Sequence, residues 1–142
     1  MKHLTLILLL MAAALPARAE RFIDVHDAWI RHIPGDRPMA GYFVLENRGD
    51  ADRRLVGASS AGFGAIHLHE TVDNNGTSSM RPLESAMVPA GGRALFEPGA
   101  RHLMLMQRRD ALEVGDEVVI SLEFADGGSQ SAVFTIKPVW QE

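Results

Sequence analysis

The chain has 142 residues, 14 basic against 18 acidic, six histidines and no cysteine, for a formal charge of −4 at neutral pH. That balance argues against a nucleic-acid partner, whose phosphates reward basic surfaces, and the length suits one domain with a single core. Without cysteine there are neither disulfides nor thiolate ligands, so any soft-ligand chemistry falls to methionine and histidine.

The first segment in chain order, MKHLTLILLLMAAALPARA, has a basic start at Lys2, an apolar run from Leu4 to Leu15 and the small-x-small triplet Ala17-Arg18-Ala19. It reads as a secretory signal peptide over residues 1–19, cleaved after Ala19, which leaves an exported domain over residues 20–142. The apolar run is shorter than the roughly 20 residues of a transmembrane helix, and no later segment approaches that length. No membrane insertion of the mature chain is expected, nor a lipid anchor, since there is no cysteine to acylate. Loss of Lys2 and Arg18 takes the mature charge to about −6.

Extended segments follow at short intervals: 22–30, 39–47, 54–59, 65–72, 78–84, 93–97, 102–108, 116–124 and 132–139. Turn-formers separate them, among them Pro34-Gly35-Asp36, Asn47-Arg48-Gly49-Asp50, Asp73-Asn74-Asn75-Gly76, Pro89-Ala90-Gly91-Gly92 and Asp126-Gly127-Gly128. Val118, Ile120, Leu122 and Phe124 alternate with Glu117, Ser121 and Glu123, a one-sided pattern typical of antiparallel sheets. No amphipathic helix of ten residues or more is visible beyond the leader. The expected class is all-β, a sandwich or barrel of about eight or nine mostly antiparallel strands.

Two segments break the usual apolar-in, polar-out scheme. In Ala65–Val72, alternation puts Ile66, Leu68 and Val72 on one face and His67, His69 and Thr71 on the other. The Asp73-Asn74-Asn75-Gly76 turn then closes a hairpin. Centred between Asn74 and Asn75, it sets Met80 opposite His69; centred on Asn75-Gly76, it makes Met80 a diagonal neighbour on the same face. Opposed side chains have Cβ atoms about 4.5–5.5 Å apart and diagonal ones about 7–8 Å, so either register lets an imidazole and a thioether reach one ion. The second segment, Arg101-His102-Leu103-Met104-Leu105-Met106-Gln107, puts Leu103 and Leu105 on one face and His102, Met104 and Met106 on the other. Two imidazoles with two thioethers make a soft, uncharged donor set that favours Cu(I). Taken singly, each of these residues has a plainer role: methionine as core filler, histidine as a solvated polar-face group. Met39 and Met87 are read as core filler, His26 and His32 as surface residues, and His67 and Met106 as at most auxiliary to the site.

His69, ten residues, Met80, twenty-one residues, then His102-Leu103-Met104 resembles the HX10MX21HXM copper-binding signature of the periplasmic copper chaperones called the PCuAC family. The similarity extends through Gly41-Tyr42-Phe43-Val44-Leu45-Glu46-Asn47, Leu68-His69-Glu70-Thr71, Met80-Arg81-Pro82 and Val88-Pro89-Ala90-Gly91-Gly92, nearly the whole mature chain. The resemblance implies a cupredoxin-like β-sandwich in the periplasm that binds one Cu(I) per chain through His69, Met80, His102 and Met104. It further implies delivery to a respiratory acceptor, the dinuclear copper centre of cytochrome c oxidase, alongside a Sco-type thiol protein.

Other readings find less support. No nucleophile motif, dinucleotide loop or calcium loop is complete, so no enzyme activity is expected. A blue-copper electron carrier needs a cysteine thiolate that the chain lacks. A copper-buffering or resistance protein, and a metal-free β-sandwich interaction module, remain as alternatives.

Overall fold

The computed structural model describes residues 22–140; the expected leader, residues 1–19, lies outside them. Ten strands follow in order: β1 (Ile23–Arg31), β2 (Met39–Asn47), β3 (Arg53–Ser59), β4 (Phe63–Asn74), β5 (Thr77–Pro82), β6 (Ala86–Val88), β7 (Arg93–Phe96), β8 (Arg101–Arg108), β9 (Glu117–Phe124) and β10 (Ser129–Lys137). The described residues contain no helix, and so none long and apolar enough to cross a membrane. The all-β expectation holds, but its count of eight or nine strands is corrected to ten. The strand missed is β6, whose three residues are too few for alternation to register. It exists because β3 offers a free edge, where Arg53, Arg54 and Leu55 pair with Val88, Met87 and Ala86.

Hydrogen bonding runs β4-β8-β2-β1-β10-β9-β3, and β3 returns to β4 through Ala58 opposite Ile66, closing a seven-stranded barrel. Strands β5, β6 and β7 extend it from β4, β3 and β2. The β1–β10 pair is parallel and the other pairs are antiparallel. Closure leaves few unpaired edges.

The barrel is filled by the inward alternates. Val118, Ile120, Leu122 and Phe124 of β9 are buried as their alternation requires, with Leu103 and Leu105 of β8 and Ile66 and Leu68 of β4. Phe43 stacks on Phe96 at 4.4 Å and meets the edge of Phe134 at 5.5 Å. Each such side chain contributes roughly 1.5–3 kcal/mol by leaving water, which holds β4 and β8 inward face down. The strand period of two then turns His67, His69, His102, Met104 and Met106 outward. Gly41 permits the close seating of β2 against β8: a Cβ there would stand 3.2 Å from Leu105 Cδ1. Asn47 ends β2 buried and satisfied, donating to the carbonyls of Ala51 (2.8 Å) and Val88 (3.1 Å).

Two local features set which side chains reach the outer face. In the β4–β5 hairpin, Asn74 pairs with Thr77, so the turn is Asn75-Gly76 with φ of 55° and 88°. Positive φ at both central residues is the type I′ turn that Asn-Gly favours, and it selects the second of the two expected registers. In β1, Asp27 has φ 52° and the register with β2 shifts between His26 and Trp29. This β-bulge inverts the alternation. Ile23 and Val25 face the core before it and Ile30 after it, so Trp29 and Arg31 emerge on the outside.

Candidate metal centre

The outer faces of β5, β4 and β8 gather the sequence-singled residues on one surface. His69 lies directly opposite His102, and His67 opposite Met104. Across the other edge of β4, Thr71 is opposite Met80 and His69 opposite Pro82, so Met80 is the diagonal neighbour of His69. Met104 is two residues from His102 and diagonal to His69. Met106, opposite Ala65, continues the same face one step further out.

The four side chains differ sharply in burial. Met80 is 59% exposed on β5, every residue of which is exposed, whereas His102 is 3% exposed. The rings of His69 and His102 have centroids 5.9 Å apart, and Tyr42 stands 6.4 Å from His102 on the far side. His67 is exposed, its ring 6.5 Å from that of His69.

Hydrogen bonding orients the imidazoles. His102 Nδ1 is 3.3 Å from the Ala100 carbonyl. Only a protonated Nδ1 can donate there, so Nε2 keeps its lone pair, the arrangement that presents a histidine to a metal. That Nε2 is buried without a partner, and so is His69 Nδ1. An unsatisfied buried nitrogen costs about 1–3 kcal/mol, and two on adjacent strands of one small surface fit a ligand supplied from outside. Burial also lowers the pKa of both histidines from 6.5; for His69 the neighbouring His102 and His67 lower it further, while for His102 the Ala100 bond partly offsets the effect. Both rings are therefore neutral near pH 7, the state in which imidazole binds a metal.

Among the described residues no three His, Asp or Glu side chains gather as a metal site of such groups would. The further soft donors that this surface offers are the thioethers of Met80 and Met104. Glu70, next to His69 in sequence, projects from the other side of β4 between Arg81 and Arg101 and is bound by Arg81. The surface thus offers nitrogen and sulfur without net charge, which suits a soft monovalent ion.

One finer expectation changes. Met39 is core filler as expected, but Met87 is 45% exposed, because β6 packs against β3 through Ala86 and Val88 and turns Met87 away. His26 and His32 lie at the surface as expected, each partly buried and partnered, His26 Nε2 lying 3.0 Å from Glu46 Oε2 and His32 Nε2 3.1 Å from the Leu112 carbonyl. Sequence reasoning did not assign a role to Tyr42, which walls His102, or to the Ala100 carbonyl, which orients it. Tyr42 interrupts an apolar run in β2, a visible signal; a backbone carbonyl leaves none.

A family model described as LpqE-like matches residues 23–136. The protein named "Putative lipoprotein Lxx21020" of Leifsonia xyli subsp. xyli is 31% identical over 127 residues, 89% of this chain and 76% of that one. A Rickettsia prowazekii protein, RP573, is 34% identical over 88 residues, 61% of this chain and 49% of its own length. Among solved structures, the copper-bound PCuAC domain from PmoF2 superposes with TM-score 0.69 at 21% identity, covering 82% of this chain and 93% of that domain. The Cu(I) form of DR1885 from Deinococcus radiodurans gives TM-score 0.66 at 29% identity, with 85% and 81% covered. The barrel is thus the cupredoxin-like fold of PCuAC domains.

Proposed function

The chain belongs to the LpqE-like family, and from that premise we propose that it is an exported Cu(I)-binding metallochaperone. Its ligands are His69, Met80, His102 and Met104, holding one Cu(I) per chain. The observation that carries this reading is the pair of buried, unpartnered nitrogens, His69 Nδ1 and His102 Nε2, on rings 5.9 Å apart in directly paired residues that Met80 and Met104 flank in register. The copper named in the PmoF2 and DR1885 structures supports it. The leader over residues 1–19 directs the chain to the periplasm, where residues 20–142 act. Copper passes on to a respiratory acceptor, the dinuclear centre of cytochrome c oxidase, with a Sco-type thiol protein as a second exchange partner. No catalysed reaction is assigned.

The graded burial supplies an order of release. Met80, on the exposed edge strand, is the first ligand an approaching acceptor meets, and His102 is the last. Thioethers bind Cu(I) less strongly than thiolates, so two acceptor cysteines displace the methionines and then the imidazoles. The copper stays Cu(I) throughout, and the thiol protons pass to solvent. Titration of the apo-protein with Cu(I) under reductant, against a competing chelator, tests binding, and X-ray absorption of the loaded protein should give mixed nitrogen and sulfur scattering. Transfer to an apo acceptor is then timed across a dialysis membrane and in direct mixture. Faster transfer on contact supports a chaperone; equal rates replace it with copper buffering.

A further inference from the structure

The outer face of the barrel does not end at His102. Beyond it lie Tyr42 on β2 and Trp29 on β1, paired in register with ring centroids 4.7 Å apart. Alongside runs a second row: Met104 opposite Ala40, Ala40 opposite Arg31, and Arg31 beside Lys137 of β10. The Arg31 guanidinium sits 5.3 Å from the Tyr42 centroid and 5.8 Å from that of Trp29, and the Lys137 ammonium 5.7 Å from Trp29. In the pairing register Ala40 alone stands between Met104 and Arg31, so the thioether row and the cations adjoin.

Arg31 and Lys137 are like charges side by side on neighbouring strands, which repel. Neither enters an ion pair among the described residues, a state they share with Arg37, Arg54, Arg101, Arg108 and Arg109. Arg31 Nε is buried with no hydrogen-bond partner. Arg31 is on this face because the Asp27 bulge inverts β1; with an unbroken alternation Trp29 and Arg31 would point into the core beside Ile23 and Val25, whereas Lys137 faces out by the ordinary alternation of β10, whose Phe134 and Ile136 are buried. Bulges commonly re-aim side chains next to a functional site.

We infer that Trp29, Arg31 and Lys137, backed by the buried ring of Tyr42, form the docking face for an acidic segment of the protein that exchanges copper with this one. The inference rests on the chaperone reading for the partner's identity. Charge complementarity selects an acidic partner: a two-cation spot stands beside the metal centre of a chain whose net charge is −4. Aromatic and arginine side chains are the groups that anchor protein interfaces, and packing on the rings holds the cations in place before a partner arrives, which reduces the ordering cost of binding. An anionic membrane is the poorer match, since lipid recognition uses clusters of about 4–8 basic residues.

The test uses apo-protein carrying Trp140→Phe, which leaves Trp29 as the one tryptophan. Its fluorescence is followed during titration with a metal-free peptide bearing two cysteines flanked by four glutamates, with a lysine-for-glutamate peptide and anionic phosphatidylglycerol vesicles as separate arms. The acidic peptide alone should perturb Trp29, with affinity weakening about tenfold or more between about 10 mM and 0.5 M salt. Arg31→Glu with Lys137→Glu should abolish the response, and the milder Arg31→Gln with Lys137→Gln, which keeps the packed stems, should remove most of its salt dependence. In the loaded protein these variants should leave Cu(I) affinity within about twofold while slowing transfer to the acidic peptide about tenfold. Equal responses to the acidic and basic peptides, or wild-type behaviour of a folded double variant, overturns the inference; a response to vesicles but not peptide replaces the protein partner with a membrane. Failure to bind Cu(I) would instead remove the chaperone reading, a result the metal-free titration does not depend on.

Discussion

Acidification should strip Cu(I) from the site with a steepness that counts its imidazoles. Each histidine ligand must be neutral to bind, so each one that protonates below its pKa costs a factor of ten per pH unit, about 1.4 kcal/mol. His69 and His102 together set a limiting slope of about a hundredfold per unit, close to 2.7 kcal/mol, because the thioethers of Met80 and Met104 do not titrate. Both histidines are held below 6.5 by burial, so affinity should stay level down to about that pH and fall only beneath it, first with one proton and then with two. The same shifts act on the apo-protein. The unfolded chain takes up these protons first, so the stability the two groups contribute is full above 6.5 and is lost as pH falls through their lowered folded values. The assay is competition against a Cu(I) chelator calibrated at each pH, with parallel urea unfolding of the apo form. A His69→Ala or His102→Ala variant should bind more weakly and lose one unit of limiting slope. An affinity flat from about pH 7 to about 4 would refute histidine ligation. A slope of three protons would bring His67, exposed beside His69, into the ligand set in place of a thioether.

Met80→Leu should leave folding stability within about 0.5 kcal/mol, as expected for an exposed position, yet weaken Cu(I) about tenfold, or 1.4 kcal/mol, and remove one sulfur from the X-ray absorption shell; an unchanged sulfur count would exclude Met80 as a ligand. His102→Leu removes the buried, unpartnered Nε2 along with the Nδ1 bond to the Ala100 carbonyl, which Thr71 N–H still satisfies, so the apo-protein should unfold in urea at the same or a higher midpoint while Cu(I) binding is lost; a loss of more than about 2 kcal/mol would mean that Nε2 too is satisfied in the fold. Gly76→Val meets nothing within 4 Å but strains a backbone at φ 88°, so it should disturb the Asn75-Gly76 turn, break the Thr71–Met80 pairing seen by NMR across the hairpin, and weaken Cu(I). Retained pairing with weakened copper would separate the turn from the site.

Much of this molecule was legible in local pattern. Period-two alternation states which side of a strand each residue faces without knowledge of the neighbours, and that was enough to put His67 with His69, and His102 with Met104 and Met106. The hairpin register was also within reach: Asn75-Gly76 is the dipeptide a type I′ turn prefers, although local pattern left two centres open. What alternation cannot state is which strand lies beside which. That β8 runs along β4, setting His102 opposite His69, follows from barrel closure across contacts distant in sequence. The three-residue β6 has no pattern of its own and depends on the free edge of β3. Burial of His102, its bond to the Ala100 carbonyl and the wall made by Tyr42 are likewise decided by packing. The bulge at Asp27 marks the limit most clearly. One extra residue inverts the phase of β1, sending Trp29 and Arg31 to the face of the metal centre, and its position is fixed only by the pairing with β2. Residue type and spacing therefore determined the candidate donors and their faces, while the juxtaposition of those candidates came from long-range strand pairing, whose energy lies in contacts that no local window contains.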